Sequence, residues 1–426
     1  MAPTIFAPAV PQTMADFNVT NKSLGSFLVS VFIVAFIFGP LFLTPLGEQY
    51  GRAPITHITN IGFVIFTVIC GVSVNVGMLI IFRFLAGLMG CVAITLGGGF
   101  IADIMPPARR GTALTIWTIG PLAGPVIAPV IGGYLSMAKG WRWTFYLTAI
   151  LQGFFTICCF IFLPETYGPR ILQLKAKRLR KETGNHNLRS IMDTGVTTLS
   201  RIQTALIRPS KMLIRSPIAQ IMALYTSLVY GYMYFLFTTF TEVFEGQYGF
   251  NTGQAGLAYL GLGIGFIIGQ IAVGRFSDRY LAAQKAKHGS HKPEDRLPPL
   301  VIGGFLVPIG LVWYGWSADK HTHWIVPIIG TGFVGLGILF VFLPIQMYLI
   351  DTFNIYAASA IAVNTVVRSI FGTVLPVAGP PMYRRLGLGW GNTLLAGVAV
   401  VFTPVPFLLL RYGEKIRLDK RFRPKL

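Results

Sequence analysis

Two charged turns of similar sequence are candidates for ion pairs that hold helices in one arrangement. The first, GPLFLTPLGEQYGR, carries Glu48 and Arg52, and the second, GQIAVGRFSDR, carries Asp278 and Arg279. A carboxylate and a guanidinium at a tight turn can bridge neighbouring helix ends and stabilise one conformation. Their similar places in the two halves of the chain predict an internal repeat of the kind that alternating-access transporters use. Solvated loop charges are the alternative for either turn taken singly.

Arg83 is a third charged candidate, because it lies inside the apolar run IIFRFLAGLMG. An arginine within a membrane span costs several kcal/mol unless it is paired or hydrated, so we expect it to face the interior of a helical bundle. Hydrogen bonds to backbone carbonyls are the structural alternative. Shortly after this run, ADIMPPARRG places Asp103 beside Arg109 and Arg110, which indicates a further cluster that could connect helix ends.

The uncharged stretch GTALTIWTIGPLAGPVIAPVIGGY, residues 111 to 134, combines helix-breaking residues with a length that could span a bilayer. Its prolines recur every four residues with glycines between them, so small residues follow roughly one face of a helix. In lipid such a helix persists, and its small residues let neighbouring backbones approach closely. An ordinary packing helix is the alternative. The positions that define the stretch are Gly120, Gly124, Pro125, Pro129, Gly132 and Gly133.

The elements that position these residues are membrane helices. The chain has 426 residues, of which 53% are hydrophobic and 12% charged, and this is more apolar surface than a soluble core could bury. A net charge of +20 could indicate nucleic-acid binding, but apolar runs of about 20 residues repeat along nearly the whole length and argue against it. The four cysteines lie within these runs and form no disulfide framework. The sequence predicts an all-α polytopic membrane protein.

We predict eleven spans, as five followed by six. The first set lies at about 24–46, 56–75, 78–101, 112–134 and 143–163, and the second at about 218–241, 254–276, 298–317, 325–350, 358–380 and 391–411. The chain therefore divides into an outer N-terminal segment (1–23), a helical bundle (24–163), a basic linker that is partly helical or disordered (164–217), a second bundle (218–411) and a basic tail (412–426).

The basic residues predict the orientation of the chain, because cytoplasmic loops retain Lys and Arg during insertion. Of the 35 Lys and Arg residues, 27 fall on the side of the linker and tail, which we therefore expect to be cytoplasmic. Five crossings then place Met1 outside, where APTIFAPAVP looks like the outer end of a first helix whose body is missing. The only two glycosylation sequons, at Asn18 and Asn21, fall in this outer segment.

With these motifs in order, the chain resembles the major facilitator superfamily, and within it the fungal drug:proton antiporters of the twelve-helix type. PLGEQYGR resembles the family's loop motif, FRFLAG its arginine motif of span four, and residues 111 to 134 its antiporter motif of span five. The segments WRWTFY and LPETY also resemble sequences of that family. The chain departs from the pattern at Ala53, where a second arginine is usual, at Ala128, where a glycine is usual, and in most of the first helix.

The resemblance implies a fold of two bundles that rock about a central site, and uphill export of drugs or secondary metabolites coupled to inward proton flow. Glu242 is the acidic residue nearest to mid-bilayer and a candidate proton carrier, with Asp103 or Glu48 acting with Arg83 as the alternative. Aromatic and polar residues would contact the substrate in a cavity suited to neutral or amphipathic compounds, although core packing is the alternative for the aromatic ones. The cavity candidates are Tyr230, Tyr234, Glu242, Asn364 and Arg368.

Several other functions compete with this interpretation. A sugar or other solute uniporter or symporter of the same superfamily would share the fold. A truncated, inactive copy is a further alternative, because most of the first helix is missing. An ion channel is expected to show a filter loop or a pore-lining ring, which the sequence lacks. We find no nucleotide, hydrolase or metal motif, and expect no enzyme activity, cofactor or metal. The expected partners are a small-molecule substrate, protons and the lipid bilayer, with the chain as a monomer in the plasma membrane rather than the vacuolar membrane.

Overall fold

The computed structural model describes residues 1–106, 110–185, 187–191, 198–288, 292–353 and 356–418, and within these ranges its regular structure is helical, as predicted. Polar caps start several helices: Asn75 accepts a hydrogen bond from the Met78 N–H, and Ser216 from the Ala219 N–H. The helices are α1 (Val10–Asp16), α2 (Lys22–Tyr50), α3 (Arg52–Gly71), α4 (Val76–Ile104), α5 (Arg110–Lys139), α6 (Arg142–Phe162), α7 (Gly168–Thr183), α8 (Thr198–Arg215), α9 (Pro217–Tyr248), α10 (Thr252–His288), α11 (Pro298–Asp319), α12 (Ile325–Phe353), α13 (Ala357–Phe402) and α14 (Pro404–Leu418).

The described residues contain nine helical stretches that are long and apolar enough to cross a membrane. One of them, Ser359–Arg417, has 59 residues and is broken at Gly387, where φ is +74°, so it is long enough for two crossings. Helix α5 has 30 residues and is therefore about 45 Å long, enough for a further crossing. The polytopic fold is confirmed, and these helices accommodate the eleven predicted spans.

The helices form two bundles, α2 to α6 and α9 to α14, which meet where α5 packs against α10 and α2 packs against α13. We call the membrane face that carries residues 164–217 the linker side, and the opposite face the far side. Within the linker, α7 and α8 are helical, and α8 packs against both α2 and α13. The linker therefore contacts both bundles, through α2 of the first and through α9 and α13 of the second.

Residues 1–23 run from the middle of α5, where Met1 lies beside Gly124, to the far side of the first bundle. Phe6 is fully buried, with its ring 5.0 Å from that of Phe145, and the Trp141 indole donates a hydrogen bond of 2.7 Å to Asp16. Both sequon asparagines are exposed, and the Asn21 side chain caps α2 by accepting a hydrogen bond from the Ser23 N–H. The packing of this segment is thus continuous with that of α6.

Candidate functional site

On the linker side of the first bundle, Arg52 pairs with Asp103. The Arg52 Nε lies 3.3 Å from an Asp103 oxygen, and its guanidinium lies 5.2 Å from the centre of the Tyr167 ring. Gly51 separates α2 from α3 with φ of +103°, so Glu48, exposed on the last turn of α2, and Arg52, the first residue of α3, lie on different helices. The ion pair therefore connects the start of α3 to the end of α4.

Glu165, which was not among the residues predicted from the sequence, completes this cluster. Its carboxylate accepts hydrogen bonds from the backbone N–H groups of Arg52 (3.1 Å) and Ala53 (3.3 Å), and from those of Thr166 and Tyr167. These bonds satisfy N–H groups in the first turn of α3 that have no partner within the helix. An acidic residue directly after the fifth predicted span, within LPETY, was the available signal.

We expect Glu165→Ala to lower the stability of the folded protein by about 1–3 kcal/mol, because it removes charge-assisted bonds to a helix start. Thermal unfolding of the purified full chain, followed by tryptophan fluorescence, measures the change. Glu182→Ala is the matched control, since Glu182 forms only an exposed pair with Arg178. Equal melting of the two variants would contradict the assigned role of Glu165.

The second bundle repeats the arrangement with residues that sequence reasoning missed. The Arg296 Nε lies 3.0 Å from an Asp351 oxygen, connecting the turn before α11 to the end of α12. Residues 269 to 279, predicted to form the equivalent turn, instead lie inside α10; Arg279 is exposed there, and the Asp278 side chain lies outside the described residues. The repeated element is thus the pair between adjacent helix ends.

Two further ion pairs fasten α14 to the same region. Arg417 donates to both oxygens of the buried Glu294 carboxylate, at 3.1 and 3.3 Å. Lys292 donates to Glu414 at 2.7 Å, and this hydrogen bond raises the pKa of the lysine above its ordinary value, which keeps it charged. The side chain of Arg110 lies outside the described residues, as does all of Arg109.

Arg83 lies in the core of the first bundle with 1% of its surface exposed. Its guanidinium is stacked within a cage of phenylalanine rings and makes one long hydrogen bond, of 3.5 Å, to the Val29 carbonyl. None of the ion pairs among the described residues includes it. Asp103 is twenty residues further along α4, about 30 Å away, which excludes a direct pair between the two. The ring centres lie 4.7, 5.5 and 5.9 Å from the guanidinium and belong to Phe6, Phe145 and Phe32.

The glycines of α5 face three different environments: α10, the N-terminal segment and open space. Gly133 approaches α10 so closely that an added Cβ would lie 2.6 Å from the Thr252 carbonyl oxygen, and a Cβ on Gly256 would lie 2.7 Å from that of Pro129. Gly124 and Gly132 instead face the N-terminal segment, and Gly120 has nothing within 4 Å of a built Cβ. The contact between the bundles thus lies in the far-side half of α5. Pro125 and Pro129 are interior residues of this helix.

On the far side, a second contact joins the bundles. Lys22, the first residue of α2, forms an ion pair with Glu242 near the end of α9. Both side chains are about half exposed, so the pair contributes about 0–1 kcal/mol. Glu242 is twelve residues beyond Tyr230 on α9, about 18 Å, which separates it from the other cavity candidates.

Deeper between the bundles, α9, α12 and α13 bring together a cluster of polar and aromatic side chains. The Arg368 guanidinium lies 5.0 Å from the Tyr230 ring centre and 5.2 Å from that of Phe342, and the Tyr230 and Tyr234 rings are 5.0 Å apart. Asn364 is fully buried, and neither its amide nitrogen nor its oxygen has a partner. The structure thus places four of the five cavity candidates in neighbouring positions; the sequence did not indicate Phe342.

The described residues contain no group of three or more His, Cys, Asp or Glu side chains that could hold a metal ion. The four cysteines are free. The side chains of the cluster described above supply guanidinium, amide, phenol and aromatic groups.

A family model described as the Major Facilitator Superfamily matches residues 1–376. Among curated relatives, the MFS-type transporter tndD of Aspergillus flavipes is 51% identical over 98% of this chain and 78% of its own length. The MFS-type transporter penM of Penicillium rubens is 50% identical, covering 99% and 83%, and the efflux pump radE of Floropilus chiversii is 46% identical, covering 100% and 80%. The inward-open xylose transporter XylE of E. coli is similar in fold, with a TM-score of 0.71 at 16% identity over 95% of this chain and 92% of that one.

Proposed function

Because the chain belongs to the Major Facilitator Superfamily, we propose that this multi-pass membrane transporter exports small organic compounds, drugs or secondary metabolites, by proton antiport. One relative that aligns over the entire chain carries the name efflux pump, which supports the direction of transport. The linker and tail are cytoplasmic in this proposal, the membrane is the plasma membrane, and the monomer is the transporting unit because both bundles come from one chain.

The observation that carries the proposal is the close approach of the two bundles in the far-side half of α5. Glycine positions of α5 and α10 meet in the far-side half of the membrane, and Lys22 pairs with Glu242 at the far-side surface. The Arg368 cluster lies deeper, between α9, α12 and α13. Separating α5 from α10 would expose this cluster to the far side, so one rocking motion changes which side reaches it.

Proton coupling requires a group that exchanges protons with both sides. Glu294 is the one buried acidic residue among those that the structure describes, and it lies on the linker side, paired with Arg417. Glu242 at the far-side surface and Asp103 at the linker side remain our candidates, because each pairs with a basic residue near an end of the spans. Protonation would weaken either ion pair, which links proton binding to the position of the helix ends.

The test is transport of a fluorescent aromatic compound into inverted vesicles that contain the purified full chain. We expect accumulation against a concentration gradient that requires a proton gradient and stops when a protonophore is added. Accumulation that continues uphill after the proton gradient has collapsed would overturn antiport. Accumulation equal to that of protein-free vesicles would overturn export of this class of compound.

A further inference from the structure

We propose that Arg368 and Asn364 form a subsite for the acidic oxygen of a flat aromatic substrate, a carboxylate or an ionised phenol. The inference deepens the proposed function and depends on its central site. It concerns the charge of the compound: of the neutral or amphipathic compounds expected from the sequence, it selects amphipathic ones that carry an acidic group and disfavours neutral ones.

The first argument is the missing countercharge of Arg368. None of the ion pairs among the described residues involves it, and its Nε has no hydrogen-bond partner. A guanidinium at this depth, about 16 Å from the start of α13, is costly unless it is paired or hydrated. The Tyr230 and Phe342 rings offset part of that cost through cation–π contact, but they supply no hydrogen-bond acceptor along the edge of the guanidinium.

The second argument is Asn364, one helical turn before Arg368 on the same face of α13. It has no surface exposed, both of its amide atoms lack a partner, and a buried polar group without a partner is destabilising. The neighbouring Ser369 is also fully buried, with its hydroxyl unpartnered. A bound oxyanion would accept hydrogen bonds from the Asn364 Nδ2 and from the guanidinium, so one ligand group would give both donors an acceptor.

The third argument is that the face of α13 that carries Asn364 and Arg368 lies next to the other bundle. Gly372 continues the row of Asn364 and Arg368 by one more turn, and a Cβ there would lie 3.0 Å from the Tyr230 ring and 3.5 Å from Ile33 of α2, in the other bundle. The row therefore borders both bundles, where a transported compound must pass. The rings that flank the guanidinium favour a flat, conjugated ligand, because such a ligand stacks against them while its acidic group reaches the arginine.

The test is binding by the purified full chain of 2-naphthoate and of 2-naphthamide, a neutral compound of the same shape. We expect wild-type protein to bind the acid at least about tenfold more tightly than the amide. Arg368→Gln should weaken binding of the acid by about 10- to 100-fold and leave binding of the amide unchanged. Arg368→Lys, which keeps the charge, should restore part of the preference. Arg384→Gln removes an exposed arginine from the same helix and should behave as wild type.

The proposal is overturned if wild-type protein binds the acid no better than the amide, including the case in which it binds neither. It is also overturned if Arg368→Gln weakens both compounds equally, or if Arg384→Gln removes the preference as well. Gradient-driven transport is measured in parallel on the same variants. Wild-type protein that transports but binds the acid no better than the amide overturns the subsite alone, whereas wild-type protein that prefers the acid but shows no proton-dependent transport overturns antiport alone.

Discussion

Replacing Gly133 by leucine is expected to reduce uphill export by about 5- to 150-fold while the protein still inserts and folds. The Cβ alone would lie 2.6 Å from the Thr252 carbonyl oxygen of α10, and the rest of the leucine side chain has no space between the two helices. Overpacking of this kind costs about 1–3 kcal/mol. That cost falls only on the conformation in which α5 and α10 touch, so it lowers the population of this conformation by about 5- to 150-fold.

The measurement is gradient-driven accumulation per amount of inserted protein. Gly153→Leu is the control for adding a leucine to a membrane helix, because a Cβ on Gly153 of α6 meets nothing within 4 Å. Gly120→Leu tests whether the close contact or the mere presence of a glycine in this stretch matters. Gly120 lies in the same stretch of α5 but has open space beside it, so export should continue. If Gly133→Leu exports as well as Gly153→Leu, the contact between α5 and α10 has no part in transport.

The sequence predicted the helices well because lipid constrains them strongly. A span must satisfy its backbone hydrogen bonds internally, so apolar runs of about 20 residues can be assigned to helices almost one by one. The unusual composition of residues 111 to 134 also identified α5 as a helix that neighbouring backbones approach closely. Which glycine faces which neighbour could not be predicted, because the rotation of a helix about its axis depends on all the elements packed around it.

The ion pairs show where sequence spacing misleads. Glu48 and Arg52 are four residues apart and would be neighbours on one continuous helix. The positive φ of Gly51 ends α2 between them, so Arg52 begins α3 and reaches Asp103. In the second half, α10 continues through the expected turn, and the pair between adjacent helix ends among the described residues is formed by Arg296 and Asp351. Spacing along the chain does not predict where a helix ends, and the helix ends decide which residues can pair.

The cluster around Arg368 was partly predictable for a physical reason. Polar residues inside apolar spans are costly, so the few that occur mark sites, and Asn364 and Arg368 could be selected from the sequence alone. Phe342 could not, because phenylalanine is common in membrane helices and nothing in its neighbourhood along α12 distinguishes it.

Arg83→Met is expected to reduce gradient-driven transport at least about tenfold while leaving the stability of the protein nearly unchanged. A charged residue costs up to about 2.5–3.5 kcal/mol at the centre of a span, and Arg83, seven residues after the start of α4, has at most this cost, which methionine removes. Methionine also loses the three ring contacts of the guanidinium, each worth about 0.5–2 kcal/mol. The two changes nearly cancel, so stability gives no reason for an arginine at this position.

Transport is then the property that distinguishes the two interpretations of Arg83. If the cation is needed for coupling or for substrate passage, Arg83→Lys should retain part of the transport that Arg83→Met loses, with both variants melting within a few degrees of wild type. If Arg83 serves only to hold α4 against the Val29 carbonyl, Arg83→Met should melt markedly earlier and transport normally per folded molecule. Because the structure gives this buried arginine three aromatic rings and one long hydrogen bond but no acidic partner, we expect the first result.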